Sequence, residues 1–429
     1  MTTCRHADNS RHECSTNATP LREDHPVTEP LTLHPLLTPE GRSNPLPIYK
    51  RLRAEDPLTQ VETGRFSCPM WLFTRYDDCV EMLKNPRFCK DASKFTEEER
   101  ARIGYRDDLA MLGQHLLGTD PPDHTRLRSL VAAAFTPQRI ENLKPRIRTI
   151  AEELIDNVAD RGSMDVVADF SVLLPITVIA ELLGVPVEDR MRFRTWTSTM
   201  MMPPSEANMP QIRAAGFEFF QFLVALVEKR RATPQDDLIS ALIAAEEGGA
   251  KLNSQELIGM LFLLLIAGHE TTVNLIANGT LALLDFPEER KRLENDPSLL
   301  ESAIEEMLRY CGPVETTTQR FALEDVTIHG KHIKRGDPVF ASLLSASHDE
   351  TRFPDPDRFD IGRKSNKHLA FGYGIHFCLG ASLARLEAAI AFEVMLRRLP
   401  RLRLAVAREA LEFHPSILLH AVRSLPVTF

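Results

Sequence analysis

One cysteine, Cys378, stands just before a helix-favouring segment, residues 381–390, in a loop that begins at Phe371. At a helix N-terminus the unpaired N–H groups and the helix dipole favour a thiolate over a thiol. Gly374 and Gly380 allow the backbone to turn tightly and to lie close to a flat ligand. A thiolate held in this way is a proximal ligand for a haem iron. The loop therefore predicts iron–thiolate chemistry.

Two other interpretations of the loop are weaker. A lone cysteine in an apolar stretch is most often a small buried hydrophobe, but here the whole spacing Phe-x-x-Gly-x-His-x-Cys-x-Gly is present. A dinucleotide fingerprint needs a third glycine, and after Gly372 and Gly374 that position is occupied by Phe377. The segment before the loop also lacks a clear β-branched strand.

The spacing resembles the haem-binding loop of the cytochrome P450 family, and the resemblance extends over roughly residues 30–429. It implies a mainly α fold with small antiparallel β-sheets and a single large domain, residues 31–429. It also implies haem b with Cys378 as the thiolate ligand of the iron. Phe371, Gly374 and Gly380 would be haem-binding residues of the loop.

A polar motif, Ala-Gly-His-Glu-Thr-Thr at residues 267–272, interrupts a long apolar helical pattern. The Thr271 hydroxyl can bond the Ala267 carbonyl four residues earlier, and Gly268 removes side-chain bulk, so a groove for a small molecule is expected. The alternative is a glycine-induced kink with a satisfied threonine. The motif resembles the oxygen-activation segment of the same family. That resemblance implies that Thr271 bonds dioxygen, that Glu270 relays protons, and that Ala267 lies against the haem.

Haem carries two propionates, which charge-assisted hydrogen bonds from Arg and His would hold. By resemblance the candidates are His124 and Arg128, on one face of a helix, together with Arg320 and His376. Any one of them alone would more often be a solvated surface residue.

A second charged set has no expected chemical role. Glu306 and Arg309 are three residues apart on a helix, which alone indicates an ordinary surface ion pair. The family carries Glu-x-x-Arg here, joined by an arginine from a later Pro-x-Arg-Phe segment. The resemblance therefore implies a structural triad of Glu306, Arg309 and Arg358.

Composition excludes several function classes. The net charge is −9, which argues against nucleic acid and strongly anionic membranes as partners. Hydrophobic residues make up 43% of the chain. The seven cysteines are scattered, so we expect neither disulfides nor a zinc site. We therefore expect a cytoplasmic location. Residues 1–30 are polar, and we expect a disordered tail rather than a signal peptide or membrane anchor. The longest apolar run, 257–268, is shorter than the about 20 residues that span a bilayer.

Periodicity predicts a helical middle and short strands near the front and after residue 320. The predicted helices are 140–158, 173–183, 214–230, 237–247, 255–284, 299–310 and 379–399. The predicted strands are 58–62, 70–75, 326–328 and 339–344. Asn253 followed by Glu256 predicts a capping box before the long helix.

Substrate-facing regions are located by resemblance. The segment 88–118 would cover the distal haem face, and a methionine-rich stretch, 200–209, would form a mobile lid or else fill the core. The expected apolar pocket walls are Val314, Thr317, Leu418 and Leu419, with Arg102 and Arg106 able to reach in. No length remains for a redox domain, so electrons are expected from a separate ferredoxin or flavodoxin with its reductase. The cations expected to steer that partner are Arg126, Arg139, Lys367 and Arg385.

The leading interpretation is a monomeric haem-thiolate monooxygenase. It would use dioxygen to hydroxylate or epoxidise a bulky lipophilic molecule such as a macrolide, terpenoid or steroid, with a fatty acid as the alternative substrate. A peroxide-driven fatty-acid hydroxylase or decarboxylase is a second interpretation, and Glu270-Thr271 argues against it because such enzymes often carry Arg-Pro there. A haem-binding sensor or carrier without turnover is a third.

Overall fold

Helices dominate the structure, a computed structural model that describes residues 34–62, 68–105, 115–200, 207–247 and 250–429. The predicted disordered tail lies outside the described residues. The α-helices are α1 (His34–Leu37), α2 (Pro39–Ser43), α3 (Leu46–Glu55), α4 (Tyr76–Lys84), α5 (Glu97–Arg102), α6 (Asp123–Ala134), α7 (Pro137–Asn142), α8 (Lys144–Ala159), α9 (Leu173–Leu183), α10 (Arg190–Met200), α11 (Met209–Ala232), α12 (Leu238–Ala244), α13 (Ser254–Asp285), α14 (Pro287–Asn295), α15 (Leu300–Cys311), α16 (Leu343–Ser347) and α17 (Ala381–Arg398).

The strands are short. They are β1 (Leu58–Val61), β2 (Met70–Phe73), β3 (Phe88–Cys89), β4 (Ser163–Asp165), β5 (Glu246–Glu247), β6 (Ala250–Lys251), β7 (Arg320–Ala322), β8 (Val326–Ile328), β9 (Lys331–Ile333), β10 (Pro338–Ala341), β11 (Arg403–Leu404) and β12 (Pro426–Thr428). The larger sheet has the order β1-β2-β10-β7-β3, and a smaller one has the order β11-β12-β4. Strand β10 pairs with β2 in parallel. This one pair departs from the small antiparallel sheets that were predicted.

Local chemistry explains where the predicted boundaries fail. The predicted helix 140–158 is divided into α7 and α8, because Pro145 lies in the first turn of α8 and lacks the N–H that a continuous helix needs. The predicted strand 339–344 ends at Ala341, where the Ser342 hydroxyl accepts from the Ser345 N–H at 3.1 Å and caps α16. The capping box of Asn253 and Glu256 at the start of α13 is confirmed.

The core surrounds α13, which packs against α9, α15 and α17. Two helical windows, Val166–Leu183 and Ser254–Asp285, are long and apolar enough to cross a membrane, but 61% and 56% of them, respectively, is buried inside the protein. Core helices of a globular protein have this character. The long helix thus gives the site a rigid wall.

The charged triad differs from its prediction. Glu306 pairs with Arg309 at 2.8 Å, and both side chains are fully buried. The third side chain is Arg363, whose Nε lies 3.1 Å from Glu306. Arg358 contributes only its carbonyl, which accepts from Arg309 at 3.0 Å. The assignment of Arg358 is wrong because the chain turns between residues 354 and 363, which brings the later arginine to the carboxylate.

Candidate active site

The cysteine loop is held by turns that require glycine. Gly372 and Gly374 have φ of 74° and 72°, in the left-handed region. A Cβ on Gly374 would stand 3.3 Å from the Leu83 carbonyl oxygen, so the loop lies tightly against the end of α4. The Cys378 N–H donates to the Phe371 carbonyl at 2.9 Å, and α17 begins three residues after the cysteine. The loop thereby fixes Cys378 at a helix N-terminus, as predicted.

The electrostatics of Cys378 differ from the expectation. Burial raises the pKa of the thiol and outweighs the hydrogen bond from Gly380 and the positive charges of Arg128 and Arg385. The helix terminus alone therefore does not favour the thiolate in the polypeptide. The residue as a whole nevertheless keeps exposed surface in this structure. A metal ion there would supply the missing stabilisation, because coordination deprotonates a thiol.

Four residues predicted from distant parts of the chain lie close to one another, because the charges of His124, Arg128 and Arg320 all act on His376. The rings of His124 and His376 lie 4.4 Å apart, centroid to centroid. Within the described chain, both ring nitrogens of each histidine are buried without a hydrogen-bond partner, and so are Nε and Nη2 of Arg320. Buried donors are rarely left unpaired. The set therefore fits an anionic ligand, and the two carboxylates of haem match it in chemistry.

The positive potential of this cluster supports the same conclusion. Burial, followed by the charges of Lys90, Arg320, His124 and Arg128, lowers the pKa of His376 to about 2. Burial disfavours any charge at this point, but the additional effect of Lys90, Arg128 and Arg320 is that of a positive potential, which favours a negative ligand. Lys90 is absent from the residues that the sequence motifs indicate, and its Nζ donates to the Thr318 and Gln319 carbonyls at 3.0 Å. The missed signal is the pairing of β3 with β7, whose register brings Lys90 opposite Arg320.

The polar motif at residues 267–272 lies in the middle of α13. The Thr271 hydroxyl donates to the Ala267 carbonyl at 3.0 Å, as predicted. Ala267 is exposed although its helix runs through the core, so an opening adjoins the helix at this point. Burial raises the pKa of Glu270 to about 7. The helix therefore presents an alcohol and a carboxylic acid whose ionisation is balanced near neutral pH.

The role expected of Gly268 is wrong. A Cβ on Gly268 would stand 3.2 Å from the Ile179 side chain, so this glycine faces α9. It allows two helices to approach closely. The opening is instead produced by the small Ala267 and by the Thr271 hydroxyl, which turns back to the helix.

Comparison with known proteins agrees with this geometry. The model of the family "Cytochrome P450" matches residues 67–402. The chain belongs to the cytochrome P450 family. It is 44% identical over 403 residues to "Polyketide biosynthesis cytochrome P450 PksS" of Bacillus subtilis, covering 93% of this chain and 99% of the relative. It is 45% identical to "Cytochrome P450 monooxygenase PikC" of Streptomyces venezuelae, covering 90% of this chain and 91% of the relative.

A solved structure supports the fold of this P450. The myxobacterial cytochrome P450 CYP267B1, in complex with myristic acid, superposes with a TM-score of 0.88 at 49% identity. The match covers 92% of this chain and 99% of that chain. The predicted fold class and the predicted enzyme class, a cytochrome P450 monooxygenase, are thus confirmed.

The predicted substrate walls are brought together in part. Val314 forms a β-bridge with Leu419, and the Leu418 carbonyl accepts from the Glu315 N–H at 2.9 Å. Thr317 is tied to the sheet by its hydroxyl, which accepts from the Ala341 N–H at 3.1 Å. The segment 314–317 and the turn 418–419 therefore form one continuous wall.

The predictions around the lid and the distal segment have a mixed outcome. Met200 ends α10 and packs against the core, while residues 201–206 lie outside the described residues, as does Arg106. Arg102 points to the sheet rather than to the site, because it donates to Asp337 at 3.1 Å and to the Arg335 carbonyl at 2.7 Å. Its assignment to the pocket is therefore wrong.

The cations expected to steer a redox partner are largely neutralised. Arg126 pairs with Glu256, and Arg139 lies 3.4 Å from Asp236. Arg385 pairs with Glu305 at 2.6 Å. These carboxylates could not be predicted from sequence, because each lies on a different helix or segment from its arginine. These three arginines therefore do not by themselves form a basic docking surface.

Proposed function

We propose that this P450 uses dioxygen to insert one oxygen atom into a bulky lipophilic small molecule, with two electrons from separate redox proteins. The observation that carries the proposal is the geometry of α13, where Thr271 and Glu270 stand beside the opening at Ala267. A protein that only bound haem would not need an acid and an alcohol at this point.

Haem b is the cofactor that the residues of the site fit. Cys378 would supply the thiolate, and His124, Arg128, Arg320 and His376 would hold the propionates, filling the unpaired donors of the cluster. Phe371, Gly374, Gly380 and Ala267 would line its two faces. When bound, haem supplies the dioxygen-binding iron, and its thiolate ligand favours O–O cleavage.

The residues of α13 would manage the protons. Thr271 would hold a proton at its hydroxyl next to the dioxygen site and could release its bond to Ala267 as it does so. Glu270 would replace that proton, because a pKa of about 7 allows the carboxyl to give and to regain protons at neutral pH.

Substitution of Thr271 tests this role. We expect Thr271→Ala to bind haem normally. Product formation should fall on the order of 10²-fold and hydrogen peroxide should rise, because the Thr271 hydroxyl no longer delivers protons to the dioxygen site. Product and peroxide are measured per NADPH consumed with a surrogate redox system. Thr272→Ala, which changes a buried neighbour, is the matched control. Unchanged coupling in Thr271→Ala would remove Thr271 from the mechanism.

A polyketide-derived or similar lipophilic substrate is the proposed class. Named relatives include "Mycinamicin IV hydroxylase/epoxidase" of Micromonospora griseorubida and "Vitamin D(3) 25-hydroxylase" of Pseudonocardia autotrophica. A fatty acid is the second candidate, favoured by the myristic acid complex of the structure at 49% identity. The apolar wall of Val314, Leu418 and Leu419 would accept either.

Three measurements test the proposal in sequence. The reduced protein under carbon monoxide should show the strongly red-shifted Soret band of thiolate ligation, and a band typical of a neutral ligand would contradict the haem-thiolate assignment. Titration with a macrolide and with myristic acid should then shift the ferric spin state, and the tighter ligand identifies the class. Turnover supported by a ferredoxin or flavodoxin and its reductase, rather than by hydrogen peroxide, would separate this enzyme from a peroxide-driven hydroxylase.

A further inference from the structure

A fixed ion pair lies behind the cysteine loop. The Arg385 Nε is 2.6 Å from Oε1 of Glu305, and Nη2 is 2.8 Å from Oε2. The guanidinium carbon also stands 4.5 Å from the centroid of the Phe371 ring. A planar cation held by a bidentate carboxylate on one side and an aromatic face on the other has little freedom.

The carboxylate of this pair is permanently charged. The Ala370 N–H donates to Nδ1 of His368, so the proton is on Nε2, which donates to Glu305 at 3.2 Å. Although burial raises the pKa of Glu305, its bonds to Arg385 and His368 hold that pKa at about 2. The pair is therefore a constant dipole at working pH, and protonation does not switch it.

The dipole is coupled to the sulfur. Phe371, on which Arg385 lies, accepts the N–H of Cys378 at 2.9 Å. Arg385 and Arg128 are also the positive charges that favour the thiolate of Cys378. Glu305 lies on α15 and, as the carboxylate paired with Arg385, opposes the field of that arginine.

We propose that Arg385 and Glu305 act as opposed charges that set the reduction potential of the thiolate-ligated iron. The inference depends on the proposed binding of haem at Cys378. Reduction adds negative charge to the iron and its ligand, so a nearby cation favours the reduced form and a nearby anion disfavours it. Both are positioning residues, since neither is expected to touch the substrate or the iron.

The test measures the midpoint potential of the purified, substrate-free haem protein, without any redox partner and at low salt. We expect Arg385→Gln to lower the potential and Glu305→Gln to raise it, each by about three- to tenfold in the one-electron equilibrium constant, where tenfold is about 59 mV. The double variant should return close to the wild type. Arg385→Lys keeps the charge and should stay nearer to wild type than Arg385→Gln.

A second ion pair on the same helix provides the control. Arg398 pairs with Glu152 and Asp156 at 2.7 Å but lies at the opposite end of α17 from the loop. Arg398→Gln should leave the potential unchanged. If Arg385→Gln loses haem, the inference is tested by Glu305→Gln alone, whose midpoint potential should be higher than that of the wild type.

The outcomes are distinct. Shifts of the same sign in both single variants, or shifts no larger than that of Arg398→Gln, would overturn the inference. A wild-type protein without the red-shifted carbon monoxide band would overturn both this inference and the proposed function. If all variants show the red-shifted band but their midpoint potentials equal that of the wild type, this inference is overturned while the proposed function stands.

Discussion

Burial gives two glutamates near the centre of this molecule different properties. Glu270 is partly buried beside the opening at Ala267, and its pKa is raised to about 7. Glu387, on α17, is completely buried, and neither carboxyl oxygen has a hydrogen-bond partner among the described residues. Burial raises its pKa well above the ordinary value, so it stays neutral. Only Glu270 can therefore exchange protons with a substrate cavity at neutral pH.

The raised pKa of Glu270 predicts a pH-dependent loss of stability. The folded protein binds this proton more tightly than the unfolded chain, whose pKa is near 4.5, so stability falls as pH rises from about 4.5 to about 7. Above that window the full cost applies, up to about 3 kcal/mol. Glu270→Gln should therefore raise the melting temperature of the haem protein at pH 8 relative to the wild type, but have little effect at pH 5.

Thermal unfolding at the two pH values checks this prediction. Glu409→Gln, at an exposed glutamate, provides the control and should give no difference between pH 5 and pH 8. An equal effect of Glu270→Gln at both values would mean that its carboxyl does not titrate in this range.

At the scale of elements, buried charges attach the helices α2 and α3 to the joined segments 314–317 and 418–419. Arg42 of α2 lies 2.7 Å from one Glu315 oxygen, and the Tyr49 hydroxyl of α3 donates to the other at 2.6 Å. Arg42 and Glu315 are 1% and 0% exposed, so neither charge has water as an alternative partner. Arg42 also donates to the Leu419 carbonyl at 3.1 Å. The helices α2 and α3 thereby hold both of these segments.

Removal of one member of this network should be costly. We expect Arg42→Met to lower the free energy of unfolding by about 3–5 kcal/mol, because Glu315 is left as an uncompensated buried charge. Arg42→Met combined with Glu315→Leu should recover much of that loss. Urea unfolding of the haem protein measures both changes. The exposed pair of Arg51 and Glu55 on α3 is the control, and Arg51→Met should cost less than about 1 kcal/mol.

At the scale of the whole molecule, the sequence predicted what is local and what a long motif specifies. Helical periodicity located α9, α13 and α15 to within a few residues, because apolar spacing and caps act within a single element. It could not show that His124 and His376 come within 4.4 Å, and only the family resemblance suggested it. The arginine that pairs with Glu306 is Arg363 and not Arg358, and Arg385 pairs with Glu305. Both ion pairs depend on long-range turns that no local pattern encodes.

Three helices pack closely at Gly279, which leaves little room for a side chain at this position. Gly279 of α13 faces α15 and α17, and a Cβ there would stand 2.6 Å from the Phe392 ring and 2.8 Å from the Met307 sulfur. Alanine is the better helix former by about 1 kcal/mol, but overpacking at such a contact typically costs about 1–3 kcal/mol. We therefore expect Gly279→Ala to destabilise the protein.

Gly216 on α11 provides the matched comparison for that substitution. A Cβ there would meet only the Met200 sulfur, at 3.8 Å, which is an ordinary van der Waals contact. Gly216→Ala should therefore stabilise the protein, by up to about 1 kcal/mol, through helix propensity. Urea unfolding of both haem-loaded variants compares them directly. Opposite signs are expected because the same methyl group enters the meeting point of three core helices in one case and a gap between two helices in the other. Equal effects would mean that α15 and α17 can move away from α13, and that the helices behind the haem loop are not rigidly packed.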